Sequence, residues 1–474
     1  MVNGGLFLSA TTTTQVTPAT KRAIFGAAGL AFCGILVETS MNVTFPTLMR
    51  QFSTSLNAVQ WVTTAYLLAV AATMVVAAFT QNRFKWRTII NIGGSAFVIG
   101  GLLCATSPSL WVLLLGRIIQ AIGTGFALPL VFAQIMRQVP FTAQGRFTGT
   151  AGMLIALAPS LGPTYGGLVT QLLTWRLIFW ITLPFGLLAW FITAKNIHQP
   201  QQPTVQRFPL MQFILIVLTL IMMTWAFNSI GTTGFSLVNF WVPLMVALLA
   251  LWGFFKLAAT GDQPLINVAI FHNRAFSKAL AIYFLIQFIQ IGLTFLLPNF
   301  TQLALGKDAM VSGLMLLAGS LTSAILSPLT GKWMDRAGIQ KPARLGGILL
   351  ILATLGFALV ATHLSIPIIV GLFVVYQMGF SCLFNNTLTY GLQQLPPHQL
   401  GDGNATFNTL QQYSGSLGTA IMAALLATGS ELHPHSSRFI QTTAGTQLAL
   451  WLSLVIIVVT ALIAWSLKPT KSAN

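Results

Sequence analysis

The chain has 474 residues, of which 55% are hydrophobic and only 6% are charged, and its mean hydropathy is +0.80. A soluble domain carries about 25% charged residues, so this composition excludes a soluble globular protein and indicates a polytopic membrane protein. The net charge of +17 comes from basic residues spread through interhelical loops, with no basic tract interleaved with aromatics. We therefore expect no nucleic-acid partner. The three cysteines lie singly in separate apolar runs and predict neither a disulfide framework nor a metal site.

Apolar runs of membrane-spanning length predict fourteen helices and an all-α fold. Residues 1–20 lack a cleavable-signal pattern, and we interpret them as a disordered cytosolic tail. We expect a six-helix bundle in 21–200, an inserted two-helix hairpin in 201–260, and a second six-helix bundle with a short cytosolic tail in 261–474. The predicted spans are 22–44, 58–80, 88–106, 110–135, 147–170, 175–195, 208–229, 235–258, 276–304, 311–331, 344–362, 367–391, 405–428 and 446–467.

The distribution of basic residues predicts the orientation of these spans. An even number of helices places both termini on one side, and all but five of the 23 Lys and Arg residues fall on that side. The five exceptions are Arg50, Arg176, Lys307 and Arg438 on the opposite side, and Arg117 within a span. Because positive charge is retained in the cytoplasm, both termini are predicted to be cytoplasmic, with the protein in the plasma (inner) membrane.

An internal repeat supports a duplicated architecture. Residues 145–162 and 401–418 share their first glycine and a final Ser-Leu-Gly at one constant offset. If 208–258 is an insertion, both segments open the fifth helix of a six-helix unit. Duplicated units of this kind build many secondary carriers, with the substrate site between the halves.

Two charged residues lie well inside predicted spans, away from the span ends. Glu38 is the only acid that we place inside an apolar run, at an expected depth near mid-bilayer, and a charged group there is costly enough to indicate function. Arg117 lies about seven residues into the fourth span, and a direct or water-bridged link to Glu38 would supply the partner that it needs. Gln120, one turn later, extends this polar patch. The alternative is a structural Arg117 that extends to the surface or caps carbonyls.

Two further segments indicate how the spans pack and move. Gly162 and Gly166 form a GxxxG step beside two prolines, which suits either a tight packing seam or a seam on which two halves rock. In the loop 331–338, Asp335 is placed to cap a helix or to pair with an arginine, or else to lie in a solvated turn.

Four motifs between residues 38 and 184 carry a resemblance that covers nearly the whole chain. They comprise Glu38-Thr39 with Thr44-Phe45-Pro46 and the following 60–66; Arg117 with Gln120; Gly149, Gly162, Pro163, Gly166 and Gly167; and Trp175-Arg176 with Phe179 and Pro184. The pattern resembles the major facilitator superfamily, specifically its fourteen-helix drug:proton antiporter branch, which includes multidrug and quaternary-ammonium efflux pumps. The resemblance implies two pseudo-symmetric six-helix bundles plus two additional helices, and proton coupling at Glu38 with Arg117.

The sequence departs from the pattern of that branch at several positions. Glu38 stands where an Asp is usual, and Ala121 and Ala158 each replace a motif glycine. Asn82 and Lys85 replace the acid and the glycine of the first-half loop, which weakens the conformational latch expected there. The second-half latch retains Gly331, Asp335, Arg336 and Gly338.

Aromatic and amide side chains at helical spacing suit a mixed substrate cavity, although ordinary interhelical packing would account for many of them. The predicted cavity residues are Trp61, Tyr66, Tyr283, Gln287, Gln290, Phe295, Asn299, Asn385, Asn386 and Tyr390. Glu431, His433 and His435 in one loop have ligand chemistry for a transition metal. Two histidines and one glutamate in a flexible loop more often bind no metal, so we predict no metal site.

These features predict a proton-coupled exporter of amphipathic, neutral or monocationic small molecules rather than an enzyme. Its partners would be a small-molecule substrate, protons and the lipid bilayer, with no other cofactor and with the chain acting as a monomer. Burial and Arg117 have opposite effects on the charge of Glu38, so alternating access would let this group take up and release a proton. A monovalent-cation/proton antiporter, or an exporter of a lipid or native metabolite, is the alternative.

Overall fold

The computed structural model describes residues 16–199, 207–261, 264–396 and 399–467, and these ranges contain helices and loops but no strand. Fourteen helices there are long, and two are short: α2 and α3. The bounds are α1 Pro18–Met41, α2 Phe45–Gln51, α3 Leu56–Val59, α4 Trp61–Arg83, α5 Trp86–Thr106, α6 Leu110–Gln138, α7 Phe141–Leu172, α8 Arg176–Asn196, α9 Leu210–Thr233, α10 Val242–Thr260, α11 Arg274–Leu303, α12 Ala309–Ala337, α13 Gln340–Leu359, α14 Ile366–Gln393, α15 Leu400–Leu432 and α16 Arg438–Trp465. Residues 1–15 of the predicted N-terminal tail lie outside the described residues.

Thirteen of the described helices are long and apolar enough to cross a membrane. The remaining long helix is α15, whose 33 residues include many Gly, Ser, Thr, Asn and Gln side chains. Such a sequence suits a helix that packs against protein on several sides, and α15 contacts α4, α9, α11 and α16. Counted together with the other thirteen long helices, α15 makes the number of crossings even, which places Pro18 and Trp465 on the same side. We call this the terminal side, and the other the opposite side.

The long helices form two halves with matching internal packing. The first half comprises α1 and α4–α8, and the second comprises α11–α16. In both halves the first helix packs against the fourth, fifth and sixth, the second against the fourth, and the third against the fourth and sixth. The halves meet through α7 against α12 and α15 against α4, which are equivalent pairs. The predicted pseudo-symmetric duplication is therefore confirmed.

The inserted hairpin, α9 and α10, packs beside the junction of α4 and α15 rather than within either half. Gln60 Nε2 donates to Asn228 Oδ1 at 2.6 Å, which connects the start of α4 to α9. Gly231 packs directly on Ala424 of α15. One helix of the hairpin thus contacts both halves.

The two halves are closed on the opposite side and separate towards the terminal side. Gly167 and Gly313 let α7 and α12 approach until their backbones touch, and Ser160 donates to the Ser320 carbonyl at 3.5 Å. Met153, two turns before Ser160 on the same face of α7, is 60% exposed. A side chain at Gly149 would meet no atom within 4 Å. The terminal-side ends of these helices are therefore open.

Pro46 creates a second contact between the halves on the opposite side. Proline has no N–H, so the Asn42 carbonyl four residues earlier lacks its usual helical partner, and α1 ends in a turn there. Asn299 Nδ2 of α11 donates to this carbonyl at 3.2 Å, and Gln302 Nε2 donates to the Val43 carbonyl at 2.8 Å. A helix break encoded in the first half thus binds two amides of the second half.

Candidate functional site

Arg117 is fully buried at the centre of a polar cluster in the first half. Its Nε donates to the Val62 carbonyl at 3.3 Å, and its Nη1 donates to Gln120 Oε1 at 2.8 Å. The guanidinium carbon lies 3.7 Å from the centre of the Tyr66 ring, within cation–π distance. Its Nη2 has no hydrogen-bond partner. The Arg117–Gln120 pairing follows directly from their spacing of one helical turn on α6.

Tyr66 joins the three helices that surround this cluster. From α4 its hydroxyl donates to the Gly34 carbonyl of α1 at 3.1 Å and lies 2.7 Å from Thr124 Oγ1 of α6. Gly34 is required at this crossing, because a Cβ there would overlap Thr124. The same tyrosine therefore fixes the helix crossing with its hydroxyl and faces Arg117 with its ring.

Glu38 lies on α1 one turn after Gly34 and is only 4% exposed. Its Oε2 has no hydrogen-bond partner, and no described hydrogen bond or ion pair joins Glu38 to Arg117. Of the direct or water-bridged link predicted from sequence, the direct form is absent in this conformation, because Gln120, the Val62 carbonyl and the Tyr66 ring surround the guanidinium. Glu38 lies 20 residues beyond Pro18, or about 30 Å along α1. It is also three residues before the end of α1 at Met41.

The cluster contains complementary polar atoms without partners. Glu38 Oε2 is an acceptor, and Arg117 Nη2 and Gln120 Nε2 are donors, yet all three are buried and unbonded in this conformation. An isolated buried charge is costly unless it gains a partner or is neutralised. A carboxyl in this position has two ways to lower that cost: it can bind a proton, or it can move to pair with the guanidinium.

The glycine motif of α7 has two structural environments. Gly162 and Gly166 pack against Thr39 and the backbone of Ser40 on α1, within the first half. Pro163 contacts Gly313, and Gly167 contacts Ala309, across the junction with α12. Gly149 is exposed, and a Cβ added there would meet no atom within 4 Å. The opposite-side part of the motif is thus a packing seam, whereas its first glycine lies where the halves have separated.

The two predicted latch loops differ. Asp335 and Arg336 lie in the last turn of α12, exposed and without a hydrogen bond or ion pair to any described residue. Asp335 caps no helix here, because α13 begins after Ile339, which makes no side-chain cap. Gly331 and Gly338 are open, and Gly338 has a positive φ of 73° that glycine adopts readily. In the first half, Asn82 accepts from Arg137 at 2.8 Å.

Four of the predicted cavity residues make contacts that belong to helix packing. Trp61 packs on Trp225 of the hairpin, with ring centres 6.2 Å apart. Phe295 packs on Phe45, and Asn299 bonds Asn42, within the opposite-side contact described above. Asn386 donates to the Thr330 and Cys382 carbonyls between α12 and α14. These are the ordinary interhelical roles that the sequence left open, and Tyr66 belongs to the Arg117 cluster.

The remaining cavity residues lie in the second half. The hydroxyl of Tyr283 donates to Gln411 Oε1 at 2.8 Å, and its ring stacks on Phe384 at 4.3 Å. Gln287 and Gln290 are buried on α11 beside Ile291, which packs at Gly415 with Leu67 of the first half, and Gln290 Oε1 has no partner. Asn385 is exposed, and Tyr390 is buried. No group of three or more potential metal ligands is found among the described residues.

Comparison with known proteins assigns the chain to a family. The family model for the Major Facilitator Superfamily matches residues 27–419. The lincomycin resistance protein LmrB of Listeria monocytogenes is 30% identical over 93% of this chain and 95% of its own length. The multidrug resistance protein B homolog of Mycobacterium tuberculosis is 29% identical, covering 82% and 73% of the two chains.

The chain belongs to the major facilitator superfamily. It is therefore a membrane transporter and not an enzyme, and its relatives include proteins named for lincomycin and multidrug resistance. A solved bacterial homolog of the human lysosomal transporter Spinster, in an inward-facing and unoccupied conformation, has a TM-score of 0.66. That chain is 14% identical, with 95% of this chain and 97% of the other covered. This likeness concerns the fold alone.

Sequence reasoning missed two sets of contacts in this major facilitator transporter. The first is the contact between Tyr66 and Arg117, because the sequence showed Tyr66 only as one aromatic residue among many. A buried arginine without a nearby acid needs an aromatic ring or carbonyl groups as partners, and this was the available signal. The contacts of the Asn42 and Val43 carbonyls were also missed. Pro46 was the available signal for them, because a proline in a helix always leaves the carbonyl four residues earlier without its backbone donor.

Proposed function

We propose that this chain is a proton-coupled exporter of amphipathic, neutral or monocationic small molecules, working by alternating access. Both termini would be cytoplasmic, in the plasma (inner) membrane, as the bias of Lys and Arg towards the terminal side favours. The open side of the described conformation would then face the cytoplasm. The names of the drug-resistance relatives support a drug-like substrate class.

The observation that carries the proposal is the unpaired carboxyl of Glu38 beside an incompletely paired Arg117. Both groups are buried in the first half, and each has an atom without a partner. A carboxyl that alternates between a protonated state and an ionised state paired with a cation is suited to proton coupling. Glu38 is also the only acid of the described residues that lies deep within the protein, since Asp308, Asp335, Asp402 and Glu431 are all near helix ends.

The proposed cycle uses this single group for coupling. In the conformation open to the cytoplasm, Glu38 releases its proton and the carrier binds substrate. A proton taken up from the outside neutralises Glu38 and favours release of the substrate there. For a cationic substrate, the carboxylate also provides a counter-charge, while aromatic groups such as Tyr66 favour cation–π contact. One coupling acid suits substrates that carry no more than one positive charge.

Glu38→Gln tests the proposal. In inverted membrane vesicles, we expect proton-gradient-driven uptake of a fluorescent cationic dye to fall at least tenfold, because the amide cannot carry a proton through the cycle. Glu38→Asp should retain substantial uptake, since it keeps a titratable group. Glu431→Gln, which removes an exposed acid near the end of α15, is the matched control and should behave like the parent protein.

Wild-type uptake by Glu38→Gln in the presence of a proton gradient would exclude Glu38 as the coupling residue. The same vesicles separate the alternatives. Proton exchange driven by sodium or potassium, without dye transport, would indicate a monovalent-cation/proton antiporter. Release of protons by a lipid or a native metabolite, but not by dyes, would indicate an exporter of that compound.

A further inference from the structure

A cavity of about 630 Å³ lies on the surface of the first half that faces away from the second half, and none of the residues of the Arg117 cluster lines it. It is a groove over α1, bordered by α7 and α8, and it extends from Lys21 to Leu36. Phe185 and Leu188 on its wall are 62% and 55% exposed. These side chains belong to a helix that is apolar enough to cross a membrane, so the groove is open to the surrounding lipid.

The groove exists because the two helices that border it diverge. Both α7 and α8 pack extensively on α1 but contact each other little, whereas their counterparts α15 and α16 pack closely together. Tyr165 donates to the Ile178 carbonyl at 3.1 Å, which connects α7 to α8 at the end of the groove farther from Lys21. Gly26 and Gly29 form part of its floor and leave it smooth.

The charges are confined to one end of the groove. Lys21 and Arg22, both exposed, are the first residues lining it on the terminal side, and every other lining residue is uncharged. The lining contains no Asp or Glu, so the two cations have no acidic partner within it. From Lys21 to Leu36 the groove runs about 22 Å along the helix axis, compared with about 15 Å for the hydrocarbon layer of one leaflet.

We propose that this groove is a binding site for an anionic phospholipid of the leaflet on the terminal side. One acyl chain would lie along the apolar floor, and the phosphate would contact Lys21 and Arg22. Basic pockets between transmembrane helices bind anionic headgroups for the same reason, because two cations at the membrane surface attract negative charge. The site is separate from the transport cluster and does not depend on the proposed substrate or on proton coupling.

Native mass spectrometry of the purified, delipidated full-length protein tests this proposal. Dioleoyl-phosphatidylglycerol and dioleoyl-phosphatidylcholine, which differ in headgroup charge but share acyl chains, are titrated separately. The parent protein should bind the anionic lipid preferentially at one site. Lys21→Gln combined with Arg22→Gln should weaken that binding by between fivefold and thirtyfold, with little change for phosphatidylcholine.

Two further variants make the result specific. Lys341→Gln with Arg344→Gln removes the same charge from exposed positions of α13 and should leave lipid binding unchanged. Gly29→Leu fills the groove without changing charge, and a Cβ there meets only Ala189, at 3.5 Å, so the fold should tolerate it. This variant should lose the tight site for both lipids. Unchanged phosphatidylglycerol binding in either groove variant, or equal loss in the α13 control, would overturn the proposal.

Discussion

The guanidinium of Arg117 lies over the ring of Tyr66, 3.7 Å from its centre, and not against the carboxylate of Glu38. A desolvated cation–π contact contributes about 2 kcal/mol, comparable to one charged hydrogen bond. This contact, together with the bonds to Gln120 and the Val62 carbonyl, allows a buried arginine to remain charged without an acid. Glu38 is consequently left without an ion pair to Arg117 in this conformation, and under the proposed function it would exchange a proton without first breaking one.

Two substitutions of Tyr66 should have different effects because its hydroxyl and its ring have different partners. Tyr66→Phe keeps the ring over Arg117 but removes the bonds to Gly34 and Thr124, so we expect a loss of about 1 kcal/mol in stability and partial transport. Tyr66→Leu also removes the cation–π contact and should nearly abolish transport. Thermal unfolding in detergent and dye uptake in vesicles measure the two effects. Equal transport by the two variants would contradict the role assigned to the ring.

The sequence predicted the architecture more completely than the contacts within it. Apolar runs and the repeat sufficed for the all-helical architecture and the duplication, since hydrophobic length and spacing are local properties. The burial of Glu38 and Arg117 followed from their positions in such runs. The absence of an ion pair between them did not follow from the sequence. The partner of a buried guanidinium depends on how α1, α4 and α6 cross at Gly34, and here an amide, a carbonyl and an aromatic ring take the place of an acid.

Helix boundaries show the same limit. The first predicted span began at residue 22, whereas α1 begins at Pro18 after Thr17, whose hydroxyl accepts from the Thr20 amide at 3.2 Å. Glu38 therefore lies 20 residues after the start of α1 and three residues before its end at Met41. The position of the hairpin beside α15 was likewise not predictable, because its contacts are with helices far away in the sequence.

The glycine motif of α7 provides a matched pair of substitutions. A Cβ at Gly166 would overlap the backbone of Ser40, which cannot move without displacing α1 beside Glu38. We therefore expect Gly166→Ala to lower the thermal stability and the transport rate severely. Gly149→Ala meets no atom within 4 Å and replaces glycine by a better helix former, so stability should rise by up to about 1 kcal/mol.

Transport by the Gly149→Ala variant gives separate information. If the variant is stable but inactive, Gly149 must approach another helix in the conformation that is closed on the terminal side. Tolerance of alanine at Gly166, by contrast, would show that the close contact between α1 and α7 is not required.

The hydrogen bond between Gln60 and Asn228 should couple the hairpin to the first half. Gln60 is fully buried, and its Oε1 also accepts from Thr64, so its side chain is held in place. A double-mutant cycle with Gln60→Leu and Asn228→Leu should give a coupling energy of about 1 kcal/mol in thermal unfolding. Thr232→Ala, which removes a bond only within α9, is the control and should show no coupling to Gln60. Additive effects of the Gln60 and Asn228 substitutions would argue against the connection.

The bond from Asn299 to the Asn42 carbonyl should help to keep the opposite side closed. Asn299→Ala removes a donor that reaches from the second half to the first. Loss of about 1 kcal/mol from the closed form would change the ratio of the two conformations by about fivefold. Pro46→Ala should act in the same direction but more weakly, because its restored N–H competes with Asn299 for a carbonyl that can accept two hydrogen bonds.

Spin labels at Arg50→Cys and Lys307→Cys report this change. Both positions are exposed, and both line a depression of the surface where the two closed halves meet on the opposite side. The native Cys33, Cys104 and Cys382 are buried, which favours labelling of the two introduced cysteines. The distribution of distances between the two labels should shift towards longer values when Asn299→Ala or Pro46→Ala is introduced. Asn386→Ala is the matched control, because it removes a buried amide that bonds only within the second half. If this control shifted the distances as much as Asn299→Ala, the change would reflect general loosening of the helices, and the Asn299–Asn42 bond would have no specific role in closure.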